Sequence, residues 1–133
     1  MKTRTIDTNF LVRLLANDDS DQWATAAALS KSFHLIVLPT VILETEWVLR
    51  SKFKLQRSYI LELFRGMLNS DAIIVAERER IARSLECFEA GMDFADALHI
   101  SLTGDGETFV TFDRDLVKLA QKHINTVSVE LAS

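Results

Sequence analysis

Short β-prone runs alternate with segments of helical periodicity along the whole chain, and this alternation restricts the fold more than any other feature. Leu35-Ile36-Val37-Leu38 and Ala72-Ile73-Ile74-Val75 are apolar throughout, as in strands buried on both faces. Thr108-Phe109-Val110-Thr111-Phe112 is β-branched and aromatic, Thr5-Ile6 ends a first run, and Val127-Ser128-Val129 forms a last one. Strands separated by helices predict an α/β fold, a mainly parallel central sheet of about five short strands covered on both sides as three α/β/α layers.

The helical segments are legible in the spacing of apolar residues. Phe10, Leu11, Leu14 and Leu15 mark a first helix that stops at Asn17-Asp18-Asp19-Ser20, and a second runs from Asp21 to Phe33. Pro39 closes the second strand, and Thr40 is placed to cap a helix from Val41 to about Phe53. Further helices are expected over Ser58 to Asn69, over Glu77 to Ala90 with Gly91 as its stop, from Asp93 onward, and over Leu116 to Lys122. Gly104-Asp105-Gly106-Glu107 is the clearest turn, and Leu131-Ala132-Ser133 is expected to fray.

At 133 residues the chain is expected to be one domain, 1–133, large enough to bury a core. The single cysteine, Cys87, excludes an internal disulfide framework, and the opening lacks the basic-then-apolar pattern of a signal peptide. These features point to a cytoplasmic protein with a reduced thiol. The most apolar stretches are interrupted by Glu44, Glu46 and Arg50, so no membrane span is expected. A net charge of -4 argues against a simple polyanion binder, but not against a nuclease that gathers acids around cations.

The candidate chemistry lies in those acids. Asp7 follows the first strand and Asp113 the fourth, each directly ahead of a helix, so both belong at the strand-end edge where open parallel sheets build their sites. Asp7 is equally a good helix cap. Glu44 falls between Trp47 and Val48 on its helix and either meets a cation or a cleft or is an exposed Glu on a helix edge, whereas Glu46 has Arg50 four residues ahead as a salt-bridge partner. Asp96 sits three residues after Asp93 at a helix start, flanked by the small Ala95 and Ala97; the plain alternative is a cap and a first-turn acid. Asp18, Asp19 and Asp21 read as solvated turn and helix-start residues. His99 stands alone, which argues against zinc.

Four carboxylates gathered at one edge call for a hard divalent cation, magnesium or manganese. With no Gly-rich phosphate loop and no Cys-His or Ser-His spacing, such a cluster suits metal-assisted hydrolysis of a phosphodiester. The segment Arg50 to Arg57 is the only dense basic run; Arg50, Lys52, Lys54 and Arg57 either track a phosphate backbone or form a solvated helix end.

Ile6-Asp7-Thr8-Asn9, Leu43-Glu44, Asp93-Phe94-Ala95-Asp96-Ala97 and Thr111-Phe112-Asp113, in this order and over this length, resemble a PIN domain, and more narrowly the VapC-type ribonuclease toxins of prokaryotic toxin–antitoxin pairs. The resemblance implies a metal-dependent endoribonuclease with Asp7, Glu44, Asp96 and Asp113 as its acids, and Asp7, Asp96 and Asp113 as metal ligands. Asn9 and Thr111 match the polar residues beside those acids. Glu46 is the alternative second acid, and Asp93 and Asp115 are candidate accessory ligands. It further implies one or two magnesium or manganese ions, RNA cut to leave a 5′-phosphate, transfer RNA as a suggested substrate, a homodimer, and inhibition by a small antitoxin. Two other readings compete: a non-catalytic PIN module that binds RNA or protein, and a receiver-like phospho-acceptor domain. The latter is disfavoured because Asp7 lacks an adjacent acid and no Lys follows a late strand.

Overall fold

The computed structural model describes residues 1–16 and 21–133 and divides into two compact units, Met1–Arg78 and Glu79–Ser133. The turn expected at Asn17-Asp18-Asp19-Ser20, with Asp18 and Asp19, lies outside the described residues.

In the first unit the order is β1 (Thr3–Thr5), α1 (Thr8–Ala16), α2 (Asp21–Ser32), β2 (His34–Val37), α3 (Pro39–Ser51), α4 (Arg57–Leu68) and β3 (Ile73–Val75). The strands pair in parallel in the order β1-β2-β3, with Arg4 opposite Leu35 and Ile36 opposite Ile74. A bond from Ile6 N–H to Ile36 carbonyl, 3.0 Å, carries the first ladder up to Asp7. Parallel strands need a crossover, and α1 with α2, and α3 with α4, supply them. On α4 the buried residues Ile60, Leu61, Phe64 and Met67 form the stripe expected of a half-buried helix.

Helix α3 starts earlier than its apolar pattern suggests. Pro39 is its first residue, after Leu38 as a non-bonding cap, and Thr40 does not cap it. Proline lacks the N–H that a first-turn residue cannot use and has its φ already set for a helix, so it opens this element instead of merely closing the strand before it.

The second unit runs α5 (Arg78–Glu89), α6 (Phe94–Leu102), β4 (Thr108–Thr111), α7 (Arg114–His123) and β5 (Ser128–Leu131). Glu77 has φ 58 and so falls outside α5, which begins one residue later than its charge pattern suggests. Gly91, φ 109, ends α5: Met92 N–H reaches Cys87 carbonyl and Gly91 N–H reaches Phe88 carbonyl, the paired bonds of a left-handed cap that glycine adopts without strain. Cys87, Met92, Ile100, Leu116, Ala120 and Val129 belong to the core of this unit.

β4 and β5 pair in parallel, with Thr111 opposite Leu131. Leu131 is therefore not frayed, and Ala132 N–H extends the ladder to Thr111 carbonyl at 2.7 Å. The expected α/β character and parallel pairing are present. The ladders account for a sheet of three strands and a sheet of two, not for one sheet of five. Among the described residues no helix is long and apolar enough to cross a membrane.

Candidate active site

In the first unit, Asp7 occupies the single step between the β1 ladder and α1. Its Oδ1 accepts a hydrogen bond from Phe10 N–H at 2.9 Å, so it does cap the helix, and its other oxygen is left for a further partner. Thr8, the first residue of α1, donates its hydroxyl to Glu44 Oε1 at 3.1 Å, tying the second acid to the turn that carries the first. Glu44 is exposed, and this bond keeps one face of its carboxylate toward α1.

Glu46 has a different setting. It is 3% exposed, and its carboxylate accepts from Arg50 Nε at 2.8 Å and Nη2 at 3.4 Å. Burial with a bonded guanidinium makes it part of the packing of α3 and leaves Glu44 as the acid presented to solvent. Arg50 is correspondingly drawn to Glu46. Lys52 caps the end of α3, Lys54 stands at φ 56, and Arg57 opens α4, where the helix dipole is already positive.

Asn9 and Arg13 line two clefts of this unit. One, about 290 Å³, holds Asp7, Phe10, Asp21 and Thr25 beside them; the other, about 420 Å³, holds Thr8, Val12, Val48, Lys52 and Phe53. Thr8, Arg13 and Phe53 went unassigned by motif reading. Thr8 and Arg13 carried a usable signal, since Thr8 adjoins Asp7 and Arg13 lies four residues beyond Asn9 on one helix face.

In the second unit, Asp113 repeats the placement of Asp7. It caps α7, its Oδ1 accepting from Leu116 N–H at 3.0 Å, while Asp113 N–H donates to Thr111 Oγ1 at 3.1 Å. Thr111 thus acts first on the turn that fixes Asp113. Asp93 caps α6 by accepting from Asp96 N–H at 3.3 Å, which realises its plain alternative role, and Asp115 is exposed in the first turn of α7. The Asp96 carboxyl titrates above its ordinary value of 3.8, because burial disfavours its charge and Asp93 and then Asp113 repel it, against a weaker pull from His99. Asp96 and Asp113 therefore feel one another within this unit.

All these candidate ligands are carboxylate oxygens, and Asp96 carries repulsion that a cation would relieve, so the donors fit magnesium or manganese in kind. Within either unit, among the described residues, no three His, Cys, Asp or Glu side chains form a group able to hold a metal ion.

No curated protein and no solved structure matches the chain. Among known families, the PIN domain matches residues 5–122, a span that includes Asp7, Glu44, Asp96 and Asp113 and runs through both units. PIN domains are generally nucleases that use divalent metals. With that match over most of its length, the chain belongs to the PIN domain family.

Proposed function

We propose that the protein is a magnesium- or manganese-dependent endoribonuclease of the VapC kind. The observation that carries this reading is the repeated placement of an acid between a parallel strand and its helix, each with a second acid near at hand. Asp7 is linked through Thr8 to Glu44 in one unit, and Asp113 is coupled to Asp96 in the other.

Asp7 in the first unit, and Asp96 and Asp113 in the second, are the proposed donors to divalent ions, and a bound ion would neutralise phosphate charge and favour ionised water. The chain's own residues do the rest. The capping bonds from Phe10 N–H and Leu116 N–H hold Asp7 and Asp113 in fixed orientations, so these acids need not reorganise when a substrate arrives. Thr8 restrains Glu44, and Asn9 offers an amide that can orient a phosphate or ribose oxygen. Hydrolysis then forms a bond from water oxygen to phosphorus as the bond to the 3′ oxygen breaks. A carboxylate takes the water proton, the 3′ oxygen gains one, and the products are a 5′-phosphate and a 3′-hydroxyl.

The toxin role, a cognate antitoxin, a cytoplasmic homodimer and transfer RNA as substrate belong to the same proposal. A non-catalytic PIN module is the second reading, favoured by the lack, among the described residues, of a three-donor group within either unit. End-labelled RNA incubated with the protein separates them. The nuclease reading expects cleavage with magnesium, none with a chelator, and 5′-phosphate ends; RNA left intact in both supports the binding module.

A further inference from the structure

We propose that the cleft between α1 and α3 is a subsite for one nucleotide of a single-stranded RNA, with Phe53 stacking on its base and Lys52 holding its phosphate. The proposal rests on the RNA reading above and goes beyond it by naming where the strand is gripped. The cleft, about 420 Å³, has an apolar floor in Val12 and Val48, cations in Lys52 and Arg13, and polar groups in Thr8 and Asn9. Among the described residues no acid lines it, although the chain carries a net charge of -4. The neighbouring cleft is lined by Asp7 and Asp21. Charge therefore directs a polyanion into the first and a cation toward the second.

Phe53 is 36% exposed, so part of its ring is held by the protein and part is open at the cleft. A partly exposed aromatic beside a cation suits a base and its phosphate, and stacking of this kind accepts any base. The backbone supports the assignment. Phe53 N–H bonds to Val48 carbonyl at 3.3 Å and Leu55 N–H to Leu49 carbonyl at 3.0 Å, which fixes the segment after α3. Between them Lys54 adopts φ 56, a left-handed conformation that glycine or asparagine would take at less cost. Arg57 likewise places a cation at the positive end of α4. Lys54 ends α3 as left-handed residues commonly do, and with Arg57 it adds cations beside Lys52 and Phe53, as suits a phosphate-tracking segment. Asn9 and Arg13 line this cleft and the one holding Asp7, so a strand seated here passes beside the catalytic acid.

The test is fluorescence anisotropy of a labelled single-stranded oligouridylate with the full chain in chelator, where nothing is cut. Phe53→Ala is expected to weaken binding about tenfold or more, and Phe53→Tyr to restore it. Lys52→Gln should flatten the slope of log affinity against log salt by about 0.7. Circular dichroism confirms that each variant is folded. Binding by Phe53→Ala and Lys52→Gln equal to that of the parent, or no binding by the parent, overturns the subsite. Equal binding would leave the cleft to a protein partner. The nuclease reading fails separately: if the parent binds as described yet cuts nothing with magnesium, the subsite stands and the catalytic assignment falls.

Discussion

Glu44 and Glu46 stand two residues apart on α3, and replacing each with alanine should have opposite consequences. Glu46→Ala removes a carboxylate that is 3% exposed and bonded to Arg50 at 2.8 Å. A hydrogen bond to a charged group contributes about 1.5–3 kcal/mol. Arg50 is about half exposed and regains water when released, which puts this loss near the lower end. The buried methylene that is also lost adds about 0.8 kcal/mol. The sum is about 2–3 kcal/mol, and for a chain of this size that lowers Tm by about 7–11 °C. Glu44→Ala removes an exposed side chain with one hydroxyl bond, so Tm should stay within about 2 °C of the parent. In RNA cleavage assays at 20 °C, where both variants are folded, the order reverses: Glu44→Ala should lose activity at least tenfold and Glu46→Ala should keep most of it. A folded Glu46→Ala without activity, beside a fully active Glu44→Ala, would refute the assignment of the second acid.

Two further outcomes follow from titration. Because the folded state raises the Asp96 pKa, that state holds its proton more tightly than the unfolded chain, and stability is lost as pH rises from near 3.8 through the raised value. Asp96→Asn removes that loss, so in metal-free protein its Tm should exceed the parent's at pH 7, with the gap closing at low pH; differential scanning calorimetry across pH checks both. Burial, with Glu86 nearby, pushes the Cys87 thiol above its ordinary 9.0, so a thiol reagent should label native protein at pH 8 far more slowly than urea-unfolded protein.

The sequence carried the acids and the order of the elements because both are local signals. Asp7 and Asp113 each follow a β-branched run and precede a helical period; the structure gives Asp7 the capping role expected of it and shows the same role at Asp113. The choice between Glu44 and Glu46 rested on the same local logic, and the Arg50 bond expected from i,i+4 spacing is present. Other features depend on partners far along the chain. Leu131 looked frayed because nothing near it in sequence holds it, while its ladder partner is Thr111. The division of five strands into ladders of three and two is likewise a matter of long-range pairing that alternation alone does not encode. Pro39 was misplaced for another reason: proline ends a strand and opens a helix equally well, and only the φ/ψ of Leu38 settles which element it joins. Phe53 is legible only as the one aromatic of the basic run, and the cleft beside it is what gives the ring a place.

The central claim is that Asp7 serves chemistry as well as capping, and one substitution separates the two. Asn caps a helix about as well as Asp, so Asp7→Asn keeps an oxygen for the Phe10 N–H while removing the charge a metal needs. The decisive measurement is the rate of RNA cleavage by Asp7→Asn and parent protein with magnesium, alongside their Tm. Tm should be unchanged and the rate at least ~100-fold lower, in line with the loss of a group that acts directly in the reaction. Cleavage at the parental rate by the folded variant would contradict it.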